Sequence, residues 1–157
     1  MNNLISRNKM LASRIQEVFL SGHWIANTNY KELLQNVSLQ QATQKMDQVN
    51  SIAALVYHIN YYLEGLLYAM ENGKLEIHDK YSFNLPRLET ESGWNKLVSG
   101  FLNNAEKFAA KIEQMDDSIF DKPFVDEKYG TYLRNIEGVI EHSYYHLGQI
   151  ALLKKLV

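Results

Sequence analysis

The sequence predicts an all-α protein, a four-helix bundle forming one domain over residues 1–157. Three observations carry that expectation. Only 8 Gly and 2 Pro occur among 157 residues, so long stretches run without a helix breaker. Four of those stretches repeat apolar residues at three- and four-residue steps, the period of one helical face. No segment of useful length alternates polar and apolar residues as a half-buried strand does, and no internal repeat or low-complexity tract interrupts the pattern. A chain of this length builds one substantial core, not two.

The first helix is placed at residues 2 to 21, where Leu4, Leu11, Ile15 and Val18 trace one face and Gly22 is a stop. A short capped turn follows in SLQQATQKM, where Ser38 and Gln41 fit a capping box. The second long helix runs from about Asn50 to Glu71, ended by Asn72 and Gly73. Its stretch SIAALVYHINYYLEGLLYAM is apolar almost all round, which places it at the centre of the domain or in a subunit interface. The third, at about 90 to 115, has the cleanest stripe: Trp94, Leu97, Phe101, Ala105, Phe108, Ile112 and Met115. The fourth begins after Gly130 and continues to the end, with Ile136, Ile140, Leu147 and Ile150 on one face. Lys154 and Lys155 in its last turn suit the negative end of the helix dipole. Two connections are long, NGKLEIHDKYSFNLPRLETE and DDSIFDKPFVDEKYG; in compact bundles such segments are crossovers or the walls of a site.

Charge and composition exclude several functions. The formal net charge is -2 and Lys and Arg form no long run, so the footprint of a general nucleic-acid binder is missing. The amino-terminal MNNLISRNKMLASRIQEVF lacks the uninterrupted apolar stretch of a signal peptide. Asn60 and Glu64 interrupt the richest apolar run before it reaches membrane-spanning length. No membrane partner and a cytoplasmic location are therefore expected. With no cysteine, disulfides, Cys-ligated zinc and a protein thiol nucleophile are all excluded. Any thiol chemistry must use sulfur from a small molecule.

Histidine supplies the candidate chemistry. In EHSYYHLGQI, His142 and His146 stand four residues apart, so on a helix both rings project from the same face. Such a pair can hold a metal ion or be two ordinary side chains. His58 lies on a line with Leu55 and Tyr62 in the most apolar helix, and Val139, His142, His146, Gln149 and Leu153 form a stripe on the last. If the stripes meet, three imidazoles face the interior, either as a costly polar cluster or as a metal site. Three protein ligands with an open fourth position is the arrangement of catalytic zinc. HExxH is excluded because Ser143 follows His142, and di-iron chemistry because no Glu precedes any of the three His by three residues. An all-imidazole ligand set leaves the ion's full charge, favouring hydroxide, a thiolate or an anionic substrate. Gln149 either orients a ligand or makes a helix-packing hydrogen bond. Tyr62 either offers its hydroxyl to substrate or is core; Trp24 walls a pocket or anchors packing. His23 and His78 fall in surface loops, and Asp116, Asp117, Asp121, Asp126 and Glu127 make the third connection acidic, the mark of a solvated face.

LVYHINYYLEGLL around His58, with EHSYYHLGQIALLKK around His142 and His146, resembles the DinB-like superfamily, also called YfiT-like metal-dependent hydrolases. A helix ending near Gly22 and Trp24, the capped turn and a long loop with Pro86 follow in family order, so the resemblance covers essentially the whole chain. It implies an up-down-down-up four-helix bundle with long crossover connections, often a homodimer, holding one divalent ion, zinc or nickel, on His58, His142 and His146. It also implies a small-molecule substrate and either thiol S-transfer, with a thiol such as bacillithiol as cosubstrate, or hydrolysis. The catalytic base is left unassigned. A dimeric helical protein that binds metal or an apolar ligand without turnover is the alternative.

Overall fold

The first element of the computed structural model, which describes residues 6–157, is helix α1 at Arg7–Gln16. The predicted start of this helix, with Leu4, lies outside the described residues. Helix α1 runs straight into a π-type turn at Glu17–Ser21 that closes where Gly22 N–H donates to the Glu17 carbonyl at 3.1 Å. Only glycine fits there, because a Cβ at 22 would overlap Glu17. Two five-residue helices follow. Helix α2 (Tyr30–Leu34) is capped by Asn29, whose side chain accepts from Glu32 N–H, and α3 (Leu39–Thr43) carries the expected capping box of Ser38 and Gln41.

The three longest helices each begin on a hydroxyl cap. Ser51 caps α4 (Ile52–Asn72), Thr90 caps α5 (Glu91–Glu113) and Thr131 caps α6 (Tyr132–Leu156), each accepting from a backbone N–H three residues on. Helix α4 ends at Gly73, whose φ of 69° is the left-handed C-terminal conformation that glycine adopts without strain. Among the described residues there is no strand, only isolated bridges at Met46 with Val49 and Pro123 with Thr131.

The long helices pack in a closed ring: α1 on α5, α5 on α4, α4 on α6 and α6 on α1. Side-chain contacts fix their relative directions. Asn8 donates to the Glu113 carbonyl while Phe19 packs edge-on against Phe101, so α1 and α5 run oppositely. Asn60 meets Asn104, and Met70 shares a cavity with Gln114, so α4 and α5 run the same way. His58 meets His142 while Leu66 lies by Val139, so α4 and α6 are antiparallel.

The core centres on Phe19, Tyr30 and Phe101, all fully buried, with ring centroids 5.2–5.5 Å apart. The stripe predicted on α5 lies inward, with Trp94, Phe101, Ala105, Phe108 and Ile112 buried. Trp94 Nε1–H donates to the Val37 carbonyl at 2.7 Å, tying α5 to the segment before α3. Of the two placements open for the apolar α4, the domain centre is the one observed: α3, α5 and α6 cover it within the chain. Its apolar surface therefore gives no argument for a second subunit. The acidic connection is a solvated face in which two carboxylates are tied down. Asp117 and Asp121 both hold the Arg7 guanidinium at 2.8–2.9 Å, and that cation holds both carboxyls below the usual carboxylate range. Among the described residues no helix is long and apolar enough to cross a membrane.

Candidate metal centre

The antiparallel contact of α4 and α6 brings together the three histidines singled out above. His142 Nε2 lies 3.1 Å from His58 Nε2 and 2.9 Å from His146 Nε2. Three ring nitrogens so placed cannot satisfy one another as neutral imidazoles, because each ring carries a single N–H. One proton shared along the row leaves lone pairs facing lone pairs. A cation that accepts a lone pair from each ring resolves the conflict, so the group can hold a metal ion.

The far side of the His146 ring shows which of its nitrogens is free. His146 Nδ1 lies 2.6 Å from Gln149 Oε1. With the Gln149 oxygen accepting, the His146 proton sits on Nδ1 and its Nε2 lone pair faces the centre, the tautomer a metal-bound histidine needs. His58 is held differently. Its Nδ1 is buried with no hydrogen-bond partner in reach, although the Ser82 backbone acts on the ring to favour its protonated form. The His58 ring instead stacks on Phe83, centroids 4.0 Å apart and planes within 9°.

Burial makes all three rings poor bases. The pKa of His58 is pushed down to about 4, first by desolvation and then by His142 and His146. His142 falls to about 4 by desolvation and the neighbouring His146, and burial lowers His146 as well. At neutral pH the cluster is therefore unprotonated, with lone pairs available to a cation. The donor set fits one divalent ion of imidazole-binding type, with zinc and nickel in that class.

The remaining candidates divide. Tyr62 packs edge-on against His58 and His142, with centroids 5.1 and 5.5 Å away, and its hydroxyl donates to Asp79 Oδ1 at 2.8 Å. It lines a cleft of about 440 Å³ that opens from His142 past Leu66, Gly138 and Val139 to Asn135, Arg134 and Tyr129. Trp24 is not brought to the cluster. It is 89 % exposed and lies by Arg14, Glu17, Ile25 and Tyr144, so it neither walls the histidine site nor anchors the core. His23 is exposed and paired with Glu32, and His78 is exposed in the connection after α4.

Sequence reasoning missed Asp79, Ser82 and Phe83, all in that connection. Their only signal is a scatter of apolar residues, Leu75, Ile77 and Phe83, in a stretch otherwise read as loop.

The model of the DinB superfamily matches residues 25–150, a span that contains the three histidines, Tyr62, Gln149 and the 73–90 connection. No curated protein and no solved structure matches the chain. Most of the chain being covered, and the helical bundle agreeing with it, the protein belongs to the DinB superfamily.

Proposed function

We propose that the protein is a metal-dependent enzyme, a thiol S-transferase or a hydrolase, acting on a small molecule with one divalent ion held by His58, His142 and His146. One observation carries the reading: three Nε2 atoms from two helices converge within 2.9–3.1 Å steps around His142, beside an open cleft. A structural zinc site is closed by four protein ligands, whereas three ligands beside a cleft leave a position for substrate. When bound, such an ion supplies the Lewis acidity that turns a small thiol or water into a nucleophile near neutral pH.

The chain's own groups bind and orient. Gln149 holds His146 in the tautomer that presents Nε2. Tyr62 donates its hydroxyl hydrogen bond to the Asp79 carboxylate, so toward a substrate in the cleft its oxygen is left to act as an acceptor. Leu66 and Val139 form an apolar floor next to His142, which excludes water from one side of a bound substrate. The absence of cysteine means that the sulfur in a thiol transfer comes from a cosubstrate such as bacillithiol.

The proposal includes a homodimer. Leu152 and Leu156 on the outer face of α6 and Val49 before α4 remain exposed around an apolar cleft of about 290 Å³, the kind of patch that a second subunit covers. Light scattering at micromolar concentration should give twice the chain mass; the mass of a single chain contradicts this part.

The test of activity uses zinc- and nickel-loaded protein with a panel of small thiols and a chromogenic electrophile, and in parallel a panel of activated esters and amides. Turnover that disappears in His146→Ala supports the enzyme. A loaded protein that turns over neither panel favours metal binding without catalysis.

A further inference from the structure

We infer that the connection after α4 is a strap whose Phe83 is the positioning residue for His58, so that docking of the strap and binding of the metal ion reinforce each other. The inference rests on the metal-site reading above and adds to it the residues that set one of its ligands.

Four contacts lay residues 77–83 across the face of α4 that carries His58. At Gly65 the strap comes so close that a Cβ would overlap the Ile77 side chain, so glycine is what lets it lie flat on the helix. One turn back, Tyr61 makes a reciprocal pair with His78: the His78 N–H donates to the Tyr61 oxygen at 2.9 Å and the Tyr61 hydroxyl donates to the His78 carbonyl at 3.1 Å. Beside it Tyr62 donates to Asp79. The strap then turns through Asp79–Tyr81, with Ser82 Oγ donating to the Asp79 carbonyl, and delivers Phe83 to the His58 ring.

The need for this device follows from what His58 lacks. His146 has a side-chain hydrogen bond outside the cluster to fix its ring; His58 touches only His142 through Nε2, and no side chain reaches its buried Nδ1, near which only the Ser82 backbone of the strap acts on the ring. A histidine ring on a helix turns about χ2 in a broad, shallow well, and a ligand ring must hold its lone pair on the ion. For His58 the near-parallel stack on Phe83 supplies that constraint. Phe83 is itself 41 % exposed, so burying it is not the main reason for its place. Because the strap holds the ring in its ligating orientation, an ion that requires that orientation must in turn stabilise the docked strap.

The test is cobalt(II) affinity, read from the absorption of the bound ion in the full chain at neutral pH. Three variants report. Phe83→Leu keeps an apolar side chain and loses the flat ring; about 10-fold weaker binding is expected, the low end of what loss of a supporting group costs a metal site. Phe83→Tyr keeps the flat ring and should restore parental affinity. Gly65→Ala acts about two turns from His58: it improves the helix propensity of α4 yet lifts Ile77, so affinity should fall while the helix content of the metal-free protein does not. Hydrogen exchange of residues 75–84 should slow when the parent binds cobalt. Unchanged affinity in both Phe83→Leu and Gly65→Ala, beside normal binding by the parent, overturns the strap and leaves the metal site standing. A parent chain that takes up no cobalt overturns both.

Discussion

The chemistry of this chain reduces to which nitrogen of each histidine is free. Gln149 decides that for His146 through a 2.6 Å contact, and Gln149→Leu removes the acceptor while keeping an apolar contact. Zinc affinity should fall about 10- to 100-fold with the circular dichroism spectrum unchanged, as titration against a chromophoric chelator would read. Protonation gives a second prediction at this scale. His58 and His142 have folded-state values near 4, below the ~6.5 of a free imidazole. The unfolded chain thus takes up protons that the folded metal-free chain refuses. Their contribution to stability is full above about pH 6.5 and is lost as pH falls through 5 towards 4. Denaturant melts of metal-free protein should show this decline, and His142→Gln should flatten it. The same displacement keeps protons from competing with the ion, so affinity for cobalt should change little between pH 7.5 and about 6.

At the scale of elements, the site depends on α4 and α6 being held in register by parts that never touch it. Tyr30 on α2 is fully buried and its hydroxyl donates at 2.6 Å to the carbonyl of Ser143, which lies between His142 and His146. Tyr30→Phe leaves that carbonyl without its extra donor and should cost about 1–3 kcal/mol in denaturant unfolding, whereas Phe101→Ala, which empties the aromatic centre, should cost about 3–5 kcal/mol. The long helices were legible because their apolar spacing and their caps agree: the stripe from Trp94 to Met115 predicts 90 to 115, and Glu91–Glu113 is observed. Asn72 and Gly73 mark the end of α4 for a backbone reason, the positive φ at Gly73. Helix α2 was not legible, since five residues cannot display a period. The placement of the strap was not legible either, because Phe83 reaches His58 through tertiary contacts at Gly65, Tyr61 and Tyr62 rather than through any local repeat. The three histidines were legible because helix geometry puts His142 and His146 on one face and because His58 shares its line with Leu55 and Tyr62. Trp24 misled because an aromatic beside a helix end suggests packing, while the chain around residues 23–27 turns it outward.

For the whole molecule, an ion that binds only the folded chain adds to stability by mass action. A free concentration about 100-fold above Kd contributes ~2.7 kcal/mol, which for a domain of this size raises Tm by roughly 5–10 °C. Zinc should produce that shift in the parent chain and not in His142→Ala, by differential scanning calorimetry. The closed ring of helices makes this coupling global. Helix α4 carries His58 and packs on α3, α5 and α6, and α6 carries the other two histidines and packs on α1 and α4. An ion bridging α4 and α6 thus ties the centre of the bundle to one of its walls.

The most direct measurement is metal content per chain, by elemental analysis of untagged protein beside His58→Ala and His146→Ala. The account predicts close to one zinc or nickel ion per parent chain, and little in either variant although both remain folded. A parent that carries no divalent ion and takes up neither zinc nor nickel when offered, or variants that retain a full complement, would contradict it.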